Sequence, residues 1–361
     1  MEFALSEDQR LMQDSLRGSL ARACPLERVR AAADADLAFD AAAWSAVREL
    51  GVPALLVPEA YGGLGLSLLD AALAAEELGR RATPVPFLGT AVLAPIALRE
   101  AGNAAQQAQW LPRLATGEAV VGVALTEALV GVRDGAGVRA EGDKLYGSAL
   151  FVVDGAQADA YLVAAADGGV YLVEGGAAGL ERAPLRGADA TRPTVELRFD
   201  AVAAQPLPGA GRPLLERLRA AAYVALAADT LGAGWTMIEQ SVAYARDRRQ
   251  FGRAIGSFQA VKHMCAEMAA ELEIKRALVW YAAHAFDEKP AEASLYAAHA
   301  KAQLGEAGNF VARTAVEVHG GMGITDELGL HFWFKRIGLN RQLYGGPERA
   351  RRHAAALQAW A

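Results

Sequence analysis

Apolar residues recur at helical spacing towards both ends of the chain and in short strand-like runs in its middle. Ser6, followed three residues later by Gln9, makes a capping-box pattern ahead of Leu11, Met12, Leu16 and Leu20, so the first element is a helix. Helical Ala/Leu/Glu segments continue to about residue 118, interrupted by VPEAYGGLGLS at 57–67 and by Pro84 and Pro86. Between 119 and 209 the pattern changes to short apolar runs, VVGVAL, LFVV, AYLVAA and VYLVE, separated by Gly and Asp, which read as strands and turns. From Leu214 onward the long period returns, with Val261, Met264, Met268 and Leu272 on one face and Leu278 and Tyr281 read as a continuation of the same helix. The pattern predicts an α+β chain in three parts: a helical domain over 1–118, a β domain over 119–209 and a helical bundle over 210–361.

A chain of 361 residues, 53% hydrophobic and 22% charged, has ample apolar material for such a multi-part core. The formal net charge of -6 comes without a basic tract or aromatic-basic stripe, so no nucleic-acid partner is expected. The Ala-rich runs are broken by charges such as Arg219 and Asp229. None reaches the roughly 18–20 uncharged residues of a membrane helix. The opening MEFALSEDQR has acids where a secretion signal carries basic residues. Cys24 and Cys265 lie far apart without C-x-x-C spacing and read as thiols of a reducing compartment, so a cytoplasmic protein is expected. The six histidines lack H-x-x-x-H spacing, and no metal site is expected.

The richest segment is YARDRRQFGRAIGSFQAVKHMCAEM, residues 244–268. Arg246, Arg248 and Arg249 stand at a helix C-terminus, where cations are favoured, and Gly252 and Gly256 mark the turn into the next helix. Helix-end charge accounts for the cluster; so does a bidentate arginine gripping a pyrophosphate. The spacing R-x-Q-F-G followed by I-G-x-F-Q resembles the signature of the acyl-CoA dehydrogenase family. The resemblance implies that Arg248, Gln250, Phe251 and Gln259 hold the pyrophosphate and adenine half of an FAD bound in the neighbouring subunit. EVHGGMGITDELGLHFWFKR, 317–336, resembles the family's Q-x-x-G-G-x-G element, which also contacts the cofactor across the dimer. Here Gly320 and Gly321 are the glycine pair, Glu317 replaces the usual Gln, His319 lies beside the pair, and Arg336 takes the place of a basic residue that follows.

GVPALLVPEAYGGLGLS at 51–67, with Glu76 and Glu77 on the helix after it, resembles the family's V-P-E-x-x-G-G-x-G loop, and QWLPRLATGE at 109–118 its entry into the β domain. The resemblance runs from residue 1 to about 350. It implies an N-terminal helical domain, a central β-barrel-like domain and a C-terminal four-helix bundle, assembled as dimers or tetramers with FAD at subunit interfaces. It also implies an acyl-CoA substrate and an electron-transfer flavoprotein as acceptor.

Two elements depart from that pattern. The family's T-E-P-x-x-G-S-D loop reads TEALVGVRD, keeping Thr126 as a flavin contact and Glu127 beside it. Its W-I-T-N segment reads LFVVDG, so Val153 offers no side-chain hydrogen bond and Asp154 a charge where a neutral amide stands in the family. The family's chemistry needs a carboxylate to take the α proton while the β hydrogen leaves as hydride to flavin N5. In one branch the Glu position falls on Gly345, in QLYGGPER, and in the other on Ala222; neither carries a carboxylate. Glu216, Glu327 and Glu348 are the nearest substitutes; each reads first as a solvated carboxylate, and Glu327, which follows the glycine pair, stands as the catalytic candidate. Trp235, Tyr281, Trp333 and Phe334 read as core rather than acyl-pocket lining.

The elements that reach a neighbour, Arg248, Phe251, Gln259, Gly320 and Gly321, are present, whereas those serving the chain's own flavin and base are altered. This division is expected of a subunit resembling the small subunits of two-gene bacterial acyl-CoA dehydrogenases, whose larger partner supplies the Glu. The alternatives are a self-sufficient homo-oligomer with a relocated base and a non-catalytic structural subunit, with a flavin monooxygenase of the same fold behind them.

Overall fold

The computed structural model describes residues 4–132 and 135–360. Arg133 and Asp134, the end of the TEALVGVRD segment, lie outside the described residues, as do residues 1–3 of the opening MEFALSEDQR.

Six helices come first: α1 (Glu7–Ala23), α2 (Leu26–Asp34), α3 (Ala41–Glu49), α4 (Leu68–Arg80), α5 (Ala94–Ala101) and α6 (Ala104–Ala115). The capping box forms as its spacing predicts: Gln9 N–H donates to Ser6 Oγ and Ser6 N–H to Gln9 Oε1, both at 3.1 Å. Strand β1 (Val121–Ala124) leads into a short helix α7 (Thr126–Val130). There follow β2 (Gly137–Glu141), β3 (Lys144–Val153), β4 (Ala160–Ala164), β5 (Val170–Glu174), β6 (Leu180–Leu185), β7 (Thr194–Ala203) and β8 (Gln205–Pro206). They form one sheet in the order β6-β7-β3-β1-β4-β5-β8, with β2 also paired to β3. Only β1 and β4 run parallel among these pairs.

The sheet is covered on both faces, and strand alternation divides its residues. Val121, Val123 and Leu162 join the helical core, while Tyr161, Val163 and Leu197 face a second apolar cluster within the sheet region. The C-terminal part comprises α8 (Arg212–Asp247), the hairpin β9 (Arg249–Gln250) and β10 (Arg253–Ala254), and α9 (Gln259–Glu273), α10 (Arg276–Glu288), α11 (Pro290–His319), α12 (Leu330–Gln342) and α13 (Pro347–Leu357).

The stripe expected to run from Val261 to Tyr281 on one helix is split between α9 and α10. Just beyond the break at Ile274–Lys275, Arg276 turns to Glu76 of α4, whose buried carboxylate it meets at 2.5 Å. Pairing with that carboxylate favours the bend over a continuous helix, because an unpaired buried charge is costly.

Helices α4 and α8 meet backbone to backbone. A Cβ on Gly79 would lie 2.0 Å from the Asp229 carbonyl oxygen, and one on Gly232 only 1.8 Å from that of Glu76. Any larger residue there forces the first helices off the bundle. A buried polar knot ties all three regions together. Arg192, between β6 and β7, donates to Asp229 Oδ2 at 2.9 Å and also to Asn340, whose amide donates to Asp229 Oδ1 at 2.6 Å. Arg336 pairs with Asp189 at 3.4 Å and donates to the Thr83 carbonyl at 2.8 Å. Asp229, one of the charges that interrupt the apolar runs, is thus a structural anchor. Among the described residues no helix is long and apolar enough to cross a membrane.

Candidate functional site

Helix α8 ends where Arg248 leaves helical geometry, its N–H still donating to the Tyr244 carbonyl at 2.8 Å. The chain then turns through β9 and β10 with Phe251 at φ +54° and Gly252 at φ +79°. Two successive positive φ values match a type I′ hairpin turn, which glycine tolerates and a bulky residue resists. Phe251 occupies that position while 90% exposed. Its ring meets the edge of Phe258, centroids 6.0 Å apart, and Arg253 covers the face of Phe258 at 4.0 Å. A strained aromatic held out into solvent is a feature that burial against another molecule repays.

Beside the hairpin lies a depression of about 420 Å³. Tyr244, Arg248 and Gln250 line one side, and Glu317, His319, Gly320 and Gly321 the other. The two segments singled out in the sequence, some 70 residues apart, are therefore brought together here. Gly320 ends α11 at φ +59°, and a Cβ on Gly320 or Gly321 would meet nothing within 4 Å. The space over this backbone is open to another molecule. His319 packs its ring on Tyr244 at 4.7 Å and bonds through Nδ1 to the Ala315 carbonyl at 2.7 Å. Burial lowers its pKa, against the backbone bonds to Ala315 and Gln240, so its ring supports the glycine turn in the neutral form. The Arg248 guanidinium has no hydrogen-bond or ion-pair partner among the described residues. An unpaired guanidinium opposite an unhindered glycine backbone fits a pyrophosphate. Gln259 starts α9, exposed, and does not line the depression.

The residues expected around the chain's own flavin lie elsewhere. Thr126 opens α7, buried, and its hydroxyl has no hydrogen-bond partner among the described residues. Glu127 accepts from Leu150 N–H at 3.1 Å, tying α7 to β3. Val153 is buried at the end of β3. Asp154, at φ +57°, turns its carboxylate to Gly89 N–H at 2.6 Å and not into an open site. The carboxyl is buried although the residue as a whole is partly accessible. Burial pushes its pKa up to about 6, against the Gly89 and Thr90 backbone bonds and the charges of Arg192 and Arg336.

At Gly345 the backbone as well as the residue type opposes a glutamate. Gly345 sits at φ +104°, and a Cβ there would come 2.8 Å from Arg349 and 3.3 Å from Val130 of α7. Ala222 is fully buried in the middle of α8. The three substitute carboxylates stand in different surroundings. Glu327 lies on an exposed turn whose backbone is held by Arg30 of α2. Glu216 is committed to Arg219 at 3.1 Å and His353 at 3.3 Å. Burial alone would raise its pKa, but the hydrogen bond from His353 and the charges around it hold the carboxyl below the ordinary range. Glu348 is exposed at the start of α13 and meets Arg341 at 3.3 Å.

Sequence reasoning missed Lys301. Its Nζ, buried in the bundle, donates to the carbonyls of Asn340 and of Leu343, the latter at 2.9 Å, and lies 5.7 Å over the Tyr223 ring. Burial lowers its pKa to about 7, helped by the charges of Arg192 and Arg341. Its place among Ala297, Ala300 and Leu304 on the buried stripe of α11 was the available signal.

Two family models match the chain: the acyl-CoA dehydrogenase N-terminal domain over residues 6–118 and the acyl-CoA dehydrogenase C-terminal domain over 216–357. The acyl-CoA dehydrogenase IpdE2 of Mycolicibacterium smegmatis is 32% identical over 98% of this chain and 99% of its own. A Tcur3481-Tcur3483 steroid ACAD variant superposes with a TM-score of 0.89 at 30% identity over 98% of each chain. The ChsE4-ChsE5 complex from Mycobacterium tuberculosis contributes a chain that matches with a TM-score of 0.92 at 27% identity over 100% of both. Helical, sheet and helical regions in this order, both family models and a whole-length relative agree: the chain belongs to the acyl-CoA dehydrogenase family, whose members are FAD-dependent oxidoreductases.

Proposed function

We propose that this chain is one subunit of a heteromeric acyl-CoA dehydrogenase, completing a flavin site that lies mainly in a larger partner and leaving proton abstraction to that partner's carboxylate. The observation that carries this reading is Gly345: at φ +104° and against Arg349 and Val130, its backbone cannot present a glutamate without rearrangement. The depression beside Arg248 stays open in the same chain, so the half that serves a neighbour is intact where the chain's own half is not.

When bound, FAD supplies the acceptor for the hydride leaving the acyl-CoA β carbon. In this reading Arg248 and the backbone N–H groups at Gly320 and Gly321 hold the pyrophosphate, with Gln250 beside them. Phe251 leaves water on docking and shields that contact; Gln259 lies further along the same segment. The partnered chain of the ChsE4-ChsE5 complex, similar over its full length, supports a two-chain assembly. The complex would work in the cytoplasm and pass electrons to an electron-transfer flavoprotein.

The test compares the chain expressed alone with the complex purified through it, by flavin absorbance, native mass and bleaching with acyl-CoA. The expected result is flavin retention and bleaching only with the partner present. Full bleaching by a homo-oligomer at a normal rate overturns the heteromer. Normal flavin content in the complex after Arg248→Ala would instead make the chain a scaffold.

A further inference from the structure

The segment carrying Gly320 and Gly321 is anchored on two sides by different parts of the molecule. On the near side α11 ends at His319, whose ring is fixed against Tyr244 and the Ala315 carbonyl. On the far side the chain passes through the exposed residues Asp326 and Glu327 and turns at Gly329, φ +70°, before α12 begins at Leu330. Arg30 of α2, 296 positions earlier in the chain, closes this turn from outside. Its guanidinium pairs with the Asp326 carboxylate, donates to the Asp326 carbonyl at 2.6 Å, reaches the Glu327 carbonyl at 3.5 Å and lies over the Phe332 ring at 5.6 Å. His331 Nε2 donates to the other Asp326 oxygen at 2.7 Å. That hydrogen bond, with the charge of Arg30, holds the Asp326 carboxyl below the ordinary range, so both of its oxygens accept. A partly exposed ion pair adds little to global stability. The consequence of this clamp is local: it fixes the chain five residues beyond Gly321.

We infer that Arg30 is a positioning residue for the glycine turn, holding from the N-terminal helical region the backbone N–H groups that receive the cofactor's pyrophosphate. This inference rests on the proposed trans flavin site. Backbone donors serve an anion best when their direction is fixed before it arrives, because a loose turn must first be ordered. Gly320 and Gly321 have no side chains to fix them, and the space beside each is open. The flanking chain must then supply the rigidity, His319 on one side and the Arg30 clamp on the other. A planar guanidinium suits the task, because its fork reaches a carboxylate and neighbouring carbonyls together, which a lysine cannot do.

The experiment follows amide deuterium exchange of the full chain by mass spectrometry and flavin release from the complex by fluorescence. Arg30→Ala is expected to speed exchange over residues 320–329 and leave α12 unchanged. It should release flavin about fivefold faster, the scale for a residue that acts on a site without touching its ligand. Arg30→Lys, which keeps the pair with Asp326 but loses the fork to the carbonyls, should recover part of that loss. In complexes loaded with flavin the rate of bleaching by acyl-CoA should stay at the native value, since Arg30 touches none of the reacting atoms. Unchanged flavin release in Arg30→Ala overturns the assignment, even if exchange rises, and leaves Arg30 as a surface tie. Exchange that rises equally along α12 also overturns it, because the arginine would then hold the helix and not the turn. Arg248→Ala separates this inference from the reading beneath it: if that variant keeps its flavin as the native complex does, the trans flavin site itself fails, whatever Arg30 does.

Discussion

The hydroxyl of Tyr223 donates to the backbone carbonyl of Tyr344 at 3.1 Å. Each tyrosine adjoins a position where the family keeps its carboxylate, Tyr223 after Ala222 and Tyr344 before Gly345. The two places are thus joined by a buried hydrogen bond between aromatic residues, with Lys301 under the Tyr223 ring and holding the Leu343 carbonyl. The difference from the family at these two positions extends to their neighbours and is not confined to one exchanged residue.

If the chain leaves proton abstraction to a partner, as proposed, restoring the acid at one position is not expected to give the isolated chain that activity. Gly345→Glu places a side chain on a left-handed backbone against Arg349 and Val130. It is expected to cost about 1–3 kcal/mol of stability in urea unfolding. The chain without its partner should still fail to bleach on addition of acyl-CoA. Tyr223→Phe, which removes only the bond to Tyr344, should cost about 1 kcal/mol.

Asp229 is expected to be the most sensitive single position for cohesion of the three regions. Its carboxylate meets Arg192 at 2.9 Å, Arg336 at 4.0 Å and the Asn340 amide at 2.6 Å. Asp229→Ala leaves two arginines buried with Asp189 and Asp154 to balance them and without the carboxylate they share, a loss of about 3–5 kcal/mol. Denaturant unfolding measures it. Loss of the exposed pair Arg139–Glu141 should change stability by well under about 1 kcal/mol in the same experiment.

The parts legible in the sequence were those set by local chemistry. Ser6 and Gln9 announce a helix because the cap bonds are made within four residues. Gly320 announces a turn because the left-handed backbone at the end of α11 favours glycine. What stayed hidden depends on distant partners. Ile274 and Lys275 carry no helix-breaking chemistry, and the bend between α9 and α10 accompanies the meeting of Arg276 with Glu76, 200 positions away in the chain. Arg336 reads as the basic residue that follows the glycine pair, and only the fold shows it buried with Arg192 beside Asp189 and Asp229. Gly345 reads as an absent glutamate, while the φ of +104° that excludes one is visible only in three dimensions.

Two buried groups give stability opposite pH slopes. Asp154 titrates near 3.8 when exposed and near 6 in the fold, so between those values the native state holds the extra proton and stability falls as pH rises. The full effect is at most about 3 kcal/mol, at about 1.4 kcal/mol per pKa unit. Asp154→Asn keeps an acceptor for Gly89 and should flatten this part of the profile. Lys301 falls from 10.5 to about 7 on folding, so the unfolded chain holds more protons between those values and stability rises with pH. Lys301→Met should flatten that second part. Urea midpoints measured from pH 4 to 10 read both slopes, and a variant profile parallel to the native one refutes the corresponding assignment.

Phe251 separates the needs of the isolated chain from those of the assembly. At φ +54° and 90% exposed, with its ring at the edge of Phe258, it carries backbone strain for little packing in the free chain. Phe251→Gly relieves that strain and frees the hairpin tip to adopt its turn. The isolated chain should be as stable as before or more stable by up to about 1 kcal/mol. In the complex the same substitution removes the aromatic cover beside Arg248, and flavin should dissociate at least about tenfold faster, as expected when a central aromatic anchor worth more than about 1.4 kcal/mol is lost. Unfolding of the free chain and flavin release from the complex are measured separately, and the opposite signs carry the argument. A residue kept only for folding would lower stability when removed and leave flavin release alone, whereas one kept for a neighbour's site does the reverse.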